Sequence, residues 1–195
     1  MTKKIFFTLI LVFTCSVFVS VNAKDIFSKG DQAVGIGIGI GSYYGGDGYS
    51  SGIPPISVSY ERGIVEGLLN GKGSIGVGGY AAYTSNKWEG SYFNGTTDVT
   101  YGWKYNYIVL GARGAFHYQF VDKLDTYTGL MLGYNIVSSK YIGNNIAMST
   151  TNNNTSGFGF SAFIGGRYHF SPKYAAYAEV GYGISALELG LSIRL

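Results

Sequence analysis

From Phe158 to Leu195 the chain alternates with a period of two, and that pattern limits the possible folds more than any other feature. Phe158, Phe160, Ala162, Ile164, Gly166, Tyr168 and Phe170 fall on one face, and Gly159, Ser161, Phe163, Gly165, Arg167 and His169 on the other. A two-residue period is that of a β-strand, whose successive side chains point to opposite faces. After the turn Ser171-Pro172-Lys173, the residues Ala176, Ala178, Val180 and Tyr182 repeat the pattern. A short turn at Ile184-Ser185-Ala186 then launches Leu187, Leu189, Leu191, Ile193 and Leu195 against Glu188, Gly190, Ser192 and Arg194. Three strands and two turns are therefore predicted in this stretch.

The same alternation recurs upstream. Val34, Ile36, Ile38 and Ile40 oppose a row of glycines, Gly35 to Gly41, and a bare wall of that kind is expected to face bulky side chains that need the room. Tyr43 to Ile53 reads as a loop, and Pro54-Pro55 is expected to start a second strand carrying Ile56, Val58 and Tyr60. A connection of about ten residues, Gly63 to Lys72, leads to a third strand through Ile75, Val77 and Tyr83. Asn86 to Val99 reads as a long loop, Tyr101 to Tyr118 as a fourth strand, and Thr128 to Ile136 as the core of a fifth. Tyr141 to Ser156, with its Asn152-Asn153-Asn154 run, is a third long loop. This makes eight strands, with the longer connections mostly after odd-numbered ones.

Met1 to Ala23 carries Lys3 and Lys4, an apolar run from Ile5, and small residues at Val21-Asn22-Ala23, the form of a cleaved secretory signal peptide. Residues 24–30 are expected to be a short periplasmic lead-in, and residues 31–195 the folded unit. Cys15 would leave with the signal, so the remaining chain has no thiol and no disulfide framework. Removing the two lysines leaves twelve basic against eleven acidic residues, which offers nothing to a nucleic-acid partner.

Charged residues are 13% of the chain, about half the globular average, and glycine contributes 31 residues. After the signal no apolar run reaches the ~20 residues a spanning helix needs. Strands can cross lipid only as a closed barrel, because every backbone polar group must find a partner inside the protein. Charge placement separates a membrane barrel from a soluble one. Glu61, Arg113, Arg167, Glu179, Glu188 and Arg194 all lie on the small or polar face, which is too sparsely charged to be a solvated exterior. That face suits the filled interior of an eight-stranded barrel. The apolar face carries Tyr60, Phe116, Tyr118, Tyr168, Phe170 and Tyr174 at one end and Tyr83, Tyr134 and Tyr182 at the other, as aromatic girdles do. The expected fold is all-β, an eight-stranded antiparallel up-and-down transmembrane β-barrel. Its expected place is the outer membrane, with outer-membrane lipid around it.

Gly111-Ala112-Arg113, Phe116-His117-Tyr118, Gly133-Tyr134-Asn135, Gly166-Arg167-Tyr168-His169-Phe170 and Glu179-Val180-Gly181-Tyr182-Gly183 resemble segments of small outer-membrane β-barrel proteins of the OmpA/OmpX-like, porin-family type. The resemblance implies insertion by the barrel-assembly machinery and assigns no single activity. Such chains usually end on an aromatic residue, whereas this one ends on Leu195.

Arg113, Arg167, Glu179, Arg194 and Glu61, with Asp125, are expected to form a charged network in the lumen. A gated, porin-like channel for ions or small solutes is one reading. A salt-bridged plug is the other, and it is preferred because buried charge needs a partner to be tolerated at all. His117 and His169 are expected to make structural hydrogen bonds; two histidines without cysteine or a tight carboxylate cluster make a poor metal site. No nucleophile motif is present, so neither a catalytic role nor a cofactor is expected. Trp88, Tyr92 and Phe93 are the candidates for contact with an external partner or surface glycan. A monomer acting as a structural or surface-interaction protein is the reading that follows.

Overall fold

The computed structural model describes residues 27–44, 48–144 and 155–195. The signal peptide, its cleavage site and the Asn152-Asn153-Asn154 run lie outside the described residues. Eight antiparallel strands close into one barrel in sequence order: β1 (Gln32–Ser42), β2 (Ser50–Leu68), β3 (Gly73–Phe93), β4 (Asp98–Val121), β5 (Leu124–Tyr141), β6 (Gly157–His169), β7 (Tyr174–Tyr182) and β8 (Ser185–Arg194). Closure is made by β1 against β8, with Val34 opposite Ile193 and Ile38 opposite Leu189. Pairing first to last leaves no strand edge, which is the liability an open sheet carries.

Alternation sorts the side chains as the chain's pattern predicts. Ile36, Ile38, Leu110, Leu130, Ile164, Val180 and Leu191 all stand on the outside. Leu132 is 71% exposed and Phe158 92%. The interior holds the buried set, including Tyr80, Val109, Tyr127, Met131, Phe163 and Tyr177. The glycine wall of β1 also faces inward. A Cβ on Gly37 would meet Tyr177, Glu188 and Ser57, and one on Gly35 would meet Ser59 and Tyr177. These glycines give room to lumen side chains.

Three boundaries differ from the sequence reading. Pro54 and Pro55 do not start β2; they lie inside it, where the pairing with β3 shifts register between Ile53 and Ile56. A bulge is where a strand tolerates a residue with no N–H to donate. The expected ten-residue connection after Tyr60 is mostly strand, since β2 runs to Leu68 and only residues 69–72 turn. Leu69, Asn70 and Gly71 take positive φ there, the left-handed geometry of a tight hairpin. Most of the segment 86–99 is likewise strand. β3 and β4 pair without interruption from Gly73–Tyr118 to Phe93–Asp98, and only residues 94–97 turn. Asn94 fastens that turn by accepting from the backbone N–H groups of Thr96 and Thr97 at 3.0 and 2.9 Å. The two strands, 21 and 24 residues long, exceed the 13, 9 and 10 of β6, β7 and β8, so they project as a ribbon from the end of the barrel opposite Leu195.

Candidate functional site

Strand register brings the interior charges together in two layers. In the layer nearest Phe27 and Leu195, β2, β4, β5 and β6 contribute Glu61, His117, Asp125 and Arg167. His117 donates from Nε2 to Glu61 at 2.8 Å and from Nδ1 to Asp125 at 2.9 Å. Both partners are carboxylates, so both ring nitrogens donate and the ring carries charge. Arg167 reaches Glu61 at 2.9 Å and Asp125 at 3.4 Å. Two cations thus share two carboxylates, and Glu61 is 5% and Asp125 2% exposed. Phe27 closes the layer from below: its ring stacks on His117 at 4.4 Å, and its carbonyl accepts from the Ser74 hydroxyl at 2.6 Å.

One step further in, Arg113 of β4 meets Glu179 of β7 at 2.8 Å. The Tyr127 hydroxyl donates to the same carboxylate at 2.8 Å, and the guanidinium lies 4.0 Å over the Phe163 ring. Glu188 stands directly across from Glu179 on β8, and no arginine meets it among the described residues. Three hydroxyls do so instead: Tyr80 at 2.6 Å, Tyr177 at 2.8 Å and Ser57 at 2.8 Å. Several charge-assisted donors are what makes a buried carboxylate tolerable. Beyond this layer Val109, Met131, Ala82 and Ile184 pack together, with Tyr44 against them.

The predicted network residues therefore separate. Glu61 and Arg167 share one layer, and Arg113 and Glu179 pair in the next. Arg194 joins neither: it faces Asp31 at 3.6 Å near the rim, with about a fifth of its side chain exposed. Its position one residue from the end of the chain puts it at the mouth rather than inside. His169 also departs from expectation, since its Nε2 has no hydrogen-bond partner. Phe27 was missed as an interior member, and Glu188, placed on the inward face, was left out of the expected network. The parity of Glu188 on β8 was legible, but only the barrel's closure puts it beside Tyr80 and Tyr177.

Two cavities adjoin the charged layers. A cavity of about 30 Å³ between Arg113, Glu179 and Glu188 has room for one or two waters. A vestibule of about 280 Å³ beneath Phe27, Ser74 and Lys72 ends on His117 and Asp125. Among the described residues no group of three or more His, Cys, Asp or Glu side chains is disposed to hold a metal ion.

At the opposite end the three candidate contact residues divide between the ribbon's faces. Trp88 and Tyr92 belong to the inward parity of β3, and Phe93 to the outward one. The facing strand adds Tyr101, Trp103, Tyr105 and Tyr107, which fall within the fourth strand that the sequence predicts. Trp88 stacks on Trp103 at 5.9 Å and meets the edge of Tyr101 at 5.5 Å.

No protein-family model matches the chain, and no curated protein does. Among solved structures it is similar to Ail, the attachment invasion locus protein of Yersinia pestis, at 11% identity and a TM-score of 0.48, over 85% of this chain and 95% of that one. Ail in a phospholipid bilayer nanodisc is similar at 15% identity and a TM-score of 0.42, over 86% and 100%. A chain from the de novo design of transmembrane β-barrels is similar at 17% identity and a TM-score of 0.38, over 86% and 98%. Likenesses at these scores assign neither a family nor a function.

Proposed function

We propose that the chain is an integral outer-membrane β-barrel with a side-chain-filled lumen, acting as a structural or surface-interaction protein through the parts that project from its external end. The observation that carries this reading is the distribution of polarity. Bulky apolar side chains stand exposed on every strand, while Glu61, Arg113, Asp125, Arg167, Glu179 and Glu188 are buried inside. Monomeric soluble proteins rarely expose contiguous apolar patches beyond a few hundred Å², and this belt encircles the barrel. Lipid is the medium that removes the cost.

In this reading residues 1–23 are the cleaved signal, residues 24–30 the periplasmic lead-in and residues 31–195 the barrel. Phe27 and Leu195 mark the periplasmic end, and the β3–β4 ribbon projects outside. The barrel-assembly machinery inserts the chain, which remains a monomer because the ring has no free edge to pair. The two charged layers act as a plug: each charge is met by a partner of the barrel wall, and the vestibule stops at His117.

The test is single-channel recording of the refolded chain in a planar bilayer, with heat-modifiable gel migration as the check on folding. A silent bilayer with a heat-modifiable band is the expected result. Steady conductance would replace the plug with a narrow channel for ions or small solutes.

A further inference from the structure

The ribbon beyond the barrel has two unlike faces. Its outer side carries Lys87, Glu89 and Lys104, with Lys87 and Glu89 paired at 3.3 Å. Its inner side carries Trp88 and Tyr92 from β3 and Tyr101, Trp103, Tyr105 and Tyr107 from β4. From Thr84 to Tyr92, Val99 to Tyr107 and Asn135 to Tyr141, no residue of inward parity on these three strands is charged. A ribbon that was merely solvated would mix charge into both faces.

The rings line this face in two runs that follow one another along β4. Tyr92 lies 6.1 Å from Tyr101, Tyr101 5.5 Å from Trp88, Trp88 5.9 Å from Trp103, and Tyr105 6.5 Å from Tyr107. Alternate residues of a strand are about 6.6–6.8 Å apart, so Tyr101 to Tyr107 runs about 20 Å. Tyr49 adds a ring from the other side at 5.9 Å from Tyr105. Tyr92 and Tyr49 are exposed and the other rings half-buried, so the track is reachable from solvent.

Two polar groups on this track lack partners. Trp103 Nε1 and the Tyr141 hydroxyl are buried without a hydrogen bond, and their rings meet at 5.5 Å. Buried polar atoms are nearly always satisfied, so this pair marks an open spot in the wall beneath the track.

We infer that this aromatic track is a binding site for a neutral oligosaccharide, whose pyranose rings lie along Tyr101, Trp103, Tyr105 and Trp88. A pyranose ring presents a face of C–H groups with partial positive charge, which the negative face of an aromatic ring attracts. Its hydroxyls supply acceptors and donors without net charge, matching a face that has none. The track's length suits several linked sugars rather than one. The inference rests on the outer-membrane reading, which puts the ribbon outside the cell.

Both tryptophans of the chain, Trp88 and Trp103, are in the track, so intrinsic fluorescence reports on it directly. The refolded full chain in phospholipid vesicles is titrated with cellohexaose, maltohexaose and N-acetylchitohexaose, and with dextran sulfate as an anionic comparison. A saturable change in emission with at least one neutral hexasaccharide is expected. The Tyr101→Ala/Tyr105→Ala variant should bind that sugar at least tenfold more weakly, while Lys104→Ala on the opposite face should bind it as the parent does. No response to any neutral sugar, or a response to dextran sulfate alone, overturns the inference, and the parent's titration decides this by itself. A folded, heat-modifiable protein without a sugar response defeats only the glycan site; a chain that gives no heat-modifiable form in vesicles defeats the membrane-barrel reading beneath it.

Discussion

Arg113 and Glu179 lie 2.8 Å apart with water largely excluded, and at that spot the pair matters more for what its loss leaves behind than for what it adds. Replacing Arg113 by Ala strands a buried carboxylate, so Arg113→Ala should destabilise the folded barrel by about 3–5 kcal/mol. Arg113→Met with Glu179→Leu removes both charges and should recover most of that loss. Urea unfolding of the two variants and the parent in detergent micelles checks this, and equal losses would mean that the pair is not coupled. That both residues point inward was legible from the alternation around them. That they meet was not, because they are 66 positions apart and only the closed register fixes the level of each. Arg194 illustrates the same gap: parity sent it inward, whereas its level at the end of β8 leaves it beside Asp31.

At the scale of an element, β1 is a strand shaped by what it must clear. Gly37→Val should push into Tyr177, Glu188 and Ser57 and cost about 1–3 kcal/mol. Gly79→Val on β3 points the other way, with nothing nearer to its Cβ than the Gly111 carbonyl oxygen at 3.9 Å, and should be tolerated. Unfolding curves that rank the two variants in reverse order would contradict the assigned faces. The glycine wall of β1 and the strands from Leu110 onward were legible because one face is continuously apolar. The ends of β2, β3 and β4 were not. Gly, Ser, Asn and Thr between Asn86 and Thr100 carry the composition of a loop, and cross-strand pairing overrides it. The signal inside that segment is Trp88 and Tyr92, which fall on one parity.

For the whole molecule, one sheet closed on itself separates a charged interior from an apolar exterior, and in the proposed reading the chain's low charge follows from lipid covering that exterior. The charged plug and the apolar belt are two results of one alternation, so the account stands or falls on what covers the belt. Leu132 lies in the middle of it, paired with Ala112 on one side and Phe160 on the other. The most direct measurement is the unfolding free energy of Leu132→Arg against the parent, by urea titration in phospholipid vesicles. At a bilayer midplane arginine should cost about 2–4 kcal/mol. An unchanged or raised stability, as expected where a 71%-exposed side chain faces water, would contradict the membrane-spanning barrel.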